Sequence, residues 1–271
     1  MQGLGNDFFV FDAPPSLAHE PLDAAMLRAL ADRHTGVGFD QALMLEQPRD
    51  ADTRVFYRIF NANGAEVEQC GNGARCIARL LYARSPECGR EIPMRSAGGV
   101  VRAHIREDGL VAVEMGVPNF DPRAIPFEAA GESPVYTLRI DGVEFEVGAV
   151  SIGNPHAVLQ VADVESAPVE RLGPSIERDP RFPLRTNVGF MQIVDRGHIR
   201  LRVHERGVGE TLACGTGACG AVAVGRRRGL LEREVEVDLK GGRAKVSWPD
   251  PALPLWLTGP AAIVFTGSID I

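Results

Sequence analysis

Residues 66–74 read Glu-Val-Glu-Gln-Cys-Gly-Asn-Gly-Ala, and residues 210–218 read Glu-Thr-Leu-Ala-Cys-Gly-Thr-Gly-Ala. Each is a Glu, three residues, then Cys-Gly-x-Gly-Ala, so Cys70 and Cys214 stand at matching points of two related segments. Other blocks return in the same order. Gly5-Asn6 followed by Val10 recurs as Gly153-Asn154 followed by Val158, and Val37-Gly38-Phe39-x-Gln41 recurs as Val188-Gly189-Phe190-x-Gln192. Blocks that return in order about 145 to 150 residues apart are the signature of an internal duplication. Two copies related by a pseudo-twofold axis would set two cysteines face to face across a cleft. That arrangement suits a reaction needing one proton base on each side of a carbon.

The 271 residues suit two domains, and the 45% hydrophobic content is enough to build a core in each. Net charge is −7, which argues against nucleic acid as a partner. The one basic run, Arg226-Arg227-Arg228, follows an apolar segment, where a helix C-terminus favours cations. No apolar run is long enough to span a membrane and no secretory signal is visible, so a cytoplasmic protein is expected. Five cysteines make an odd count for a disulfide framework and favour a reducing compartment. Their spacings are not those of common zinc sites, so no metal is expected. Lysine occurs only as Lys240 and Lys245, which leaves few candidates for a pyridoxal phosphate Schiff base. Phosphate-binding glycine motifs are absent, and no cofactor is expected.

β-rich or alternating runs predict strands at Val55–Phe60, Val100–Ile105, Val111–Met115, Tyr136–Ile140, Phe145–Val150, Ile199–Val203, Val235–Leu239 and Ala261–Phe265. Asp108-Gly109 and Asp141-Gly142 read as hairpin turns. Residues 22–33, after Pro21, carry Leu22, Met26, Leu27 and Leu30 at amphipathic helical spacing. Two further helices are predicted over about 72–84 and 216–228, directly after the repeated cysteines. The second is apolar or small on every face, as in a helix enclosed by other structure. The proline-rich stretch from Gly116 to Pro134 is the expected linker between the halves.

A cysteine at a strand-to-helix junction feels the partial positive charge of the helix N-terminus, which lowers a thiol pKa from its usual value of about 8.5. The amides of Gly71-Asn72 and Gly215-Thr216 would form an anion site suited to a carboxylate. Such donors help most when charge spreads onto that carboxylate as an α-proton leaves. A single Cys-Gly-x-Gly-Ala turn would be read as a packing device. Two copies with Glu at the same offset favour chemistry, while Cys76, Cys88 and Cys219 read as small hydrophobes.

Phe60-Asn61-Ala62-Asn63-Gly64-Ala65-Glu66 through Cys70-Gly71-Asn72-Gly73-Ala74-Arg75-Cys76 resembles the first signature of the diaminopimelate epimerase family. Glu205-Arg206-Gly207-x-Gly209-Glu210-Thr211-x-Ala213-Cys214-Gly215-Thr216-Gly217-Ala218 resembles the second, and Gly3–Phe8 and Gly153–His156 match as well. The resemblance covers nearly the whole chain. It implies an α/β (α+β) fold of two pseudo-symmetric domains, each a β-barrel-like mixed sheet around a central helix, with the active-site cleft between them. The expected domains are residues 1–117, joined by a returning C-terminal strand 262–271, and residues 118–261. The implied activity interconverts LL- and meso-2,6-diaminopimelate without cofactor, a step toward lysine and peptidoglycan precursors. By similarity Cys70 and Cys214 are the acid/base pair. Asn6, Gln41, Asn61, Gly71, Asn72, Asn154, Asn187, Glu205, Arg206, Gly215 and Thr216 bind substrate. His156 and Glu205 tune the thiols, and Phe265 lies at a homodimer contact.

The residue chemistry agrees with that implication. A substrate with two amino-acid ends needs acceptors for ammonium and donors for carboxylate, which asparagines, Arg206 and Glu205 supply. Asn63 stands where the family commonly has Asp. Members also usually carry a short strand before Gly-Leu-Gly-Asn, whereas this chain begins Met1-Gln2-Gly3. That difference is expected to reflect a late start or a truncation that exposes a sheet edge. The alternative within enzymes is a two-cysteine racemase of the proline racemase or hydroxyproline epimerase kind, which would need an apolar pocket for a ring. Outside enzymes, the cysteine pair would suit a thiol redox switch or a zinc module.

Overall fold

The structure, a computed structural model, describes residues 1–13, 22–67 and 70–269. Pro21 and the last two residues of the expected C-terminal strand lie outside the described residues. The chain divides into two compact units, Met1–Glu114 with Gly259–Ile271, and Met115–Thr258.

Unit 1 contains β1 (Gln2–Gly3), β2 (Asn6–Asp12), α1 (Ala24–Ala31), β3 (Gln41–Glu46), β4 (Phe56–Asn61), β5 (Glu66–Val67), α2 (Gly71–Arg84), β6 (Glu91–Ser96), β7 (Gly99–Ile105) and β8 (Val111–Glu114). β2 and β3 are parallel, β3 and β4 antiparallel, β4 and β6 parallel, and β6–β7–β8 run as antiparallel neighbours. α2 packs against β1, β2, β6, β7 and β8, so the sheet curls around it. α1 covers the opposite face of β3 and β4, where Leu27 and Leu30 join Ala42, Met44 and Phe60 in one cluster.

Unit 2 contains β9 (Tyr136–Ile140), β10 (Val143–Ser151), β11 (Pro155–Gln160), α3 (Val169–Glu177), β12 (Asn187–Asp195), β13 (His198–Glu205), β14 (Gly209–Thr211), α4 (Gly215–Arg227), β15 (Glu234–Leu239), β16 (Gly242–Ser247) and β17 (Trp256–Gly259). Its pairing repeats that of unit 1. β11 and β12 are parallel, β12 and β13 antiparallel, β13 and β15 parallel, and β15–β16–β17 antiparallel. α4 is the enclosed helix, buried without interruption from Gly217 to Gly225, and it packs against β10–β13 and β16. α3 lies outside β12 and β13. The mixed α/β fold expected from the sequence is the fold observed, and each unit wraps a bent mixed sheet around one buried helix.

Several local expectations are corrected. Val188-Gly189-Phe190 lies inside β12, whereas Val37-Gly38-Phe39 precedes β3. Strand register instead equates Gln41 with Asn187: Phe8 pairs Gln41 as His156 pairs Asn187. The repeated Val-Gly-Phe-x-Gln string is therefore out of structural register. The stretch after Gly116 is not a free linker, because Ile125 and Phe127 are buried in the core of unit 2. No strand forms at Ala261–Phe265, where Ala262 makes a single bridge to Gln2. That bridge covers the edge of β1 at Gln2, although β1 has two residues where its counterpart β10 has nine. The Asp141-Gly142 turn is as expected, with φ of 51° and 79° between the paired Ile140 and Val143, a two-residue type I′ hairpin.

Candidate active site

Both repeated cysteines are N-caps. Cys70 precedes α2 with extended φ/ψ of −149°/107°, and its Sγ accepts the Gly73 amide at 3.4 Å. Cys214 precedes α4 with −111°/109°. A Cβ on Gly217 would sit 2.9 Å from Val203 Cγ2 and 3.3 Å from Cys214 Sγ, so the second glycine of the motif is what lets the sulfur lie against the helix.

The repeated glutamates have a different task from the thiols. Arg58 and Glu66 form a two-point pair (Nε–Oε1 2.8 Å, Nη2–Oε2 2.7 Å), which pins β5 to β4. Arg202 and Glu210 do the same for β14 and β13 (2.6 and 2.9 Å). The fork geometry of guanidinium on carboxylate fixes the segment that leads into each cysteine. The glutamate offset that singled out the motif is thus a brace for the cysteine-bearing segment.

In unit 1, Leu4-Gly5 forms a tight turn with positive φ at both residues and delivers Asn6. Asn6 donates to Asp40 Oδ2 at 2.8 Å, while its Oδ1 lies 3.5 Å from Asn72 Nδ2. Asn72 Oδ1 accepts from Arg75, which is fully buried in α2 and also reaches Pro260 O. Gln41 Nε2 donates to Asn61 Oδ1 at 2.9 Å. Gln41 Oε1 is buried with no partner among the described residues, a spare acceptor beside Asn61.

In unit 2 a line of contacts ends at the thiol. His156 Nε2 lies 2.9 Å from Asn154 Oδ1, Asn154 Nδ2 donates to Thr216 Oγ1 at 3.3 Å, and Thr216 Oγ1 is 3.6 Å from Cys214 Sγ. The Asn154–Thr216 contact repeats the Asn6–Asn72 contact of unit 1, each joining a post-turn asparagine to the start of the buried helix. Glu205 accepts from Thr211 Oγ1, and it is close enough to Cys214 to hydrogen-bond with it. Asn187 acts as a bracket, donating to Pro155 O at 3.1 Å and accepting the Arg206 amide at 2.9 Å, with a second N–H and a second lone pair left over. Arg206 Nη1 donates to Leu184 O at 3.0 Å.

The protonation of these groups differs from expectation. Burial pushes the Cys214 thiol well above the usual range, and the Glu205 charge pushes it further. Thr216 and the Gly217 amide pull it down, but more weakly. A helix N-terminus alone would lower it, but Cys214 is 4% exposed and desolvation wins. Burial, aided by the Arg206 charge, holds His156 down to about 3, so its imidazole is neutral at physiological pH. Cys76 is pushed up to about 12 by burial, consistent with an inert core thiol. Phe265 lies far from this chemistry in sequence and is 69% exposed, next to the exposed Val264.

The fold is one that solved structures of an epimerase and an isomerase share. The structure resembles that of a hydroxyproline epimerase from Agrobacterium vitis with a TM-score of 0.67, at 15% identity over 95% of this chain and 87% of that one. It also resembles a PhzF-family phenazine biosynthesis protein from Bacillus anthracis, with a TM-score of 0.62 at 16% identity over 96% and 91%. Sequence narrows the class. A model of the diaminopimelate epimerase family matches residues 1–120 and 148–264. Diaminopimelate epimerase of Thioalkalivibrio sulfidiphilus is 54% identical over 275 residues, covering 100% of this chain and 98% of that protein. The enzymes of Nitrosomonas eutropha and Stutzerimonas stutzeri are 54% and 51% identical over the same shares. The chain belongs to the diaminopimelate epimerase family.

Proposed function

We propose that this chain interconverts LL- and meso-2,6-diaminopimelate by transferring protons at one α-carbon between Cys70 and Cys214. Membership of the family carries the substrate. The observation that carries the mechanism is that each unit presents one thiol at the N-terminus of its buried helix, beside an equivalent asparagine contact. One thiolate removes the α-proton and the other thiol returns a proton to the opposite face, the roles exchanging with direction. The amides of Gly71-Asn72 and Gly215-Thr216 receive the reacting carboxylate, where they stabilise the charge that develops on proton loss. The ammonium of the substrate set against Glu205 would offset the charge that keeps Cys214 protonated. Neutral His156 orients Asn154 and takes no proton itself.

Gln41, Asn61, Asn187 and Arg206 are assigned to the remaining polar contacts, with Arg206 the carboxylate fork for the distant end. The fold shared with a hydroxyproline epimerase leaves the proline racemase chemistry as the competing reading, and the engaged polar groups around Arg206 favour the longer, doubly charged substrate. The reaction is placed in the cytoplasm, and the exposed Phe265 is assigned to contact between two copies of the chain.

Epimerisation in D2O should place deuterium at the α-carbon of the product. Cys70→Ala and Cys214→Ala should each abolish turnover in both directions. A single variant that kept near-normal epimerisation would exclude the two-base mechanism, and proline racemised as fast as diaminopimelate would move the assignment to the racemase class.

A further inference from the structure

Beneath the turn that carries Arg206 lies a buried pair that the proposed reaction does not use. Glu177, the last residue of α3, is 2% exposed, and His204, next to the end of β13, is 7% exposed. Glu177 Oε2 lies 2.8 Å from His204 Nε2. Its Oε1 accepts the backbone N–H of Gly207 at 3.0 Å and stands 3.5 Å from Arg185 Nη1. α3 is notched to admit the imidazole, because a Cβ on Gly173 would meet His204 Cγ at 2.6 Å.

Stability alone gives no reason for such a pair. Desolvating a carboxylate is costly, and well-packed apolar side chains in place of a buried ion pair are often as stable or more so. What the carboxylate holds is specific: the amide of Gly207, at φ 76°, one residue beyond Arg206. From the other side, Asn187 holds the amide of Arg206 itself. The backbone of the arginine is bracketed at two successive amides by buried side chains from two other elements. Glu205 is fixed separately, by the β13–β14 pairing with Gly209 and by the Thr211 hydroxyl.

We propose that Glu177 and His204 are positioning residues that hold the Arg206 turn ready for the distant end of the substrate, and so set affinity and specificity there. This rests on the assignment of Arg206 made above. A turn released from Glu177 would present its guanidinium over many orientations, and ordering it on binding would be charged to affinity. The reacting carbon would be little affected, since Glu205 and Cys214 keep their own supports.

The test is steady-state kinetics on LL-diaminopimelate, with the Gly207 amide proton followed by NMR. Glu177→Met should raise KM about tenfold or more while kcat changes by less than about threefold. The Gly207 resonance should move upfield as its acceptor is lost. Glu177→Gln keeps an oxygen for Gly207 and should restore most of the affinity. The double variant Glu177→Met/His204→Phe removes both polar partners at similar volume, so it guards against simple unfolding and should show the same KM effect. An unchanged KM with a shifted Gly207 resonance would overturn the proposal, as would kcat and KM effects that merely follow the folded fraction. Wild-type chain inactive on diaminopimelate would instead overturn the parent assignment and this one with it.

Discussion

Replacing Glu205 by Gln keeps the shape of the side chain and removes one negative charge beside the Cys214 thiol. That charge is the second largest cause of the raised pKa, after burial. Two unit charges about 4 Å apart interact by about 4 kcal/mol at an effective dielectric of about 20. A tenfold change in an ionisation constant is about 1.4 kcal/mol, so the midpoint should fall by about one to three pH units. Because burial remains, it should still lie above that of an ordinary cysteine. The same shift has a signature in stability. A thiol whose pKa is raised by folding holds its proton longer in the native state than in the unfolded one. Its contribution is therefore complete below the unfolded value of about 8.5 and is lost as pH climbs from there toward the folded value. The wild type should lose unfolding free energy across that alkaline range, and Glu205→Gln should lose less. The assay is the pH titration of the Cys214 Cβ resonance in cysteine-labelled protein, assigned with Cys214→Ser, alongside urea melts at several alkaline pH values. A midpoint that stays put or rises in Glu205→Gln would refute the electrostatic account of this thiol.

Two other outcomes test the supports of the site. Glu210→Ala should cost about 2 kcal/mol, read as a lowered urea midpoint at constant m, because it leaves Arg202 at a largely desolvated position with the backbone carbonyls of Val164, Glu165 and Ala167 and the weaker pull of the Glu165 and Glu170 charges. Glu66→Ala should cost less, about 1 kcal/mol or below, since Glu66 is 39% exposed. Gly217→Ala should destabilise by about 1 to 3 kcal/mol and depress kcat, because the added methyl meets Val203 and the Cys214 sulfur; a variant with unaltered kcat would show that the sulfur has room to move.

The duplication was legible because the Cys-Gly-x-Gly-Ala junction depends on local chemistry: a cap, two glycines and a small residue. The strands flanking it were harder to see. β3 is buried on both faces, with Ala42 and Met44 toward α1 and Leu43 against Gly73 of α2, so its apolar run lacks the alternation that announces a half-exposed strand. α3 escaped notice because Pro174 lies inside it and interrupts the helical pattern. The Val-Gly-Phe-x-Gln repeat misled for the opposite reason, since identical letters fell on a loop in one unit and a strand in the other. Register between strands, which pairs Gln41 with Asn61 and Asn187 with His156, is a long-range property that no local pattern records. The same holds for the protonation of Cys214, where a local rule about helix ends is outweighed by how deeply the assembled unit buries the sulfur. Glu177 and His204 carried no signal at all, being 27 positions apart and joined only by packing.

The two units differ in how they are threaded. Unit 2 is one uninterrupted run, whereas unit 1 takes its final piece from Gly259 onward, with Gln2 and Ala262 bonding each other in both directions. During synthesis the second unit can therefore mature as soon as its own residues have left the ribosome. The first must wait, its β1 edge uncovered, until the residues from Gly259 to Ala262 have been added. A chain released after Thr258 should accordingly hold a protease-resistant second half and a protease-sensitive first half, the reverse of the order in which they were translated.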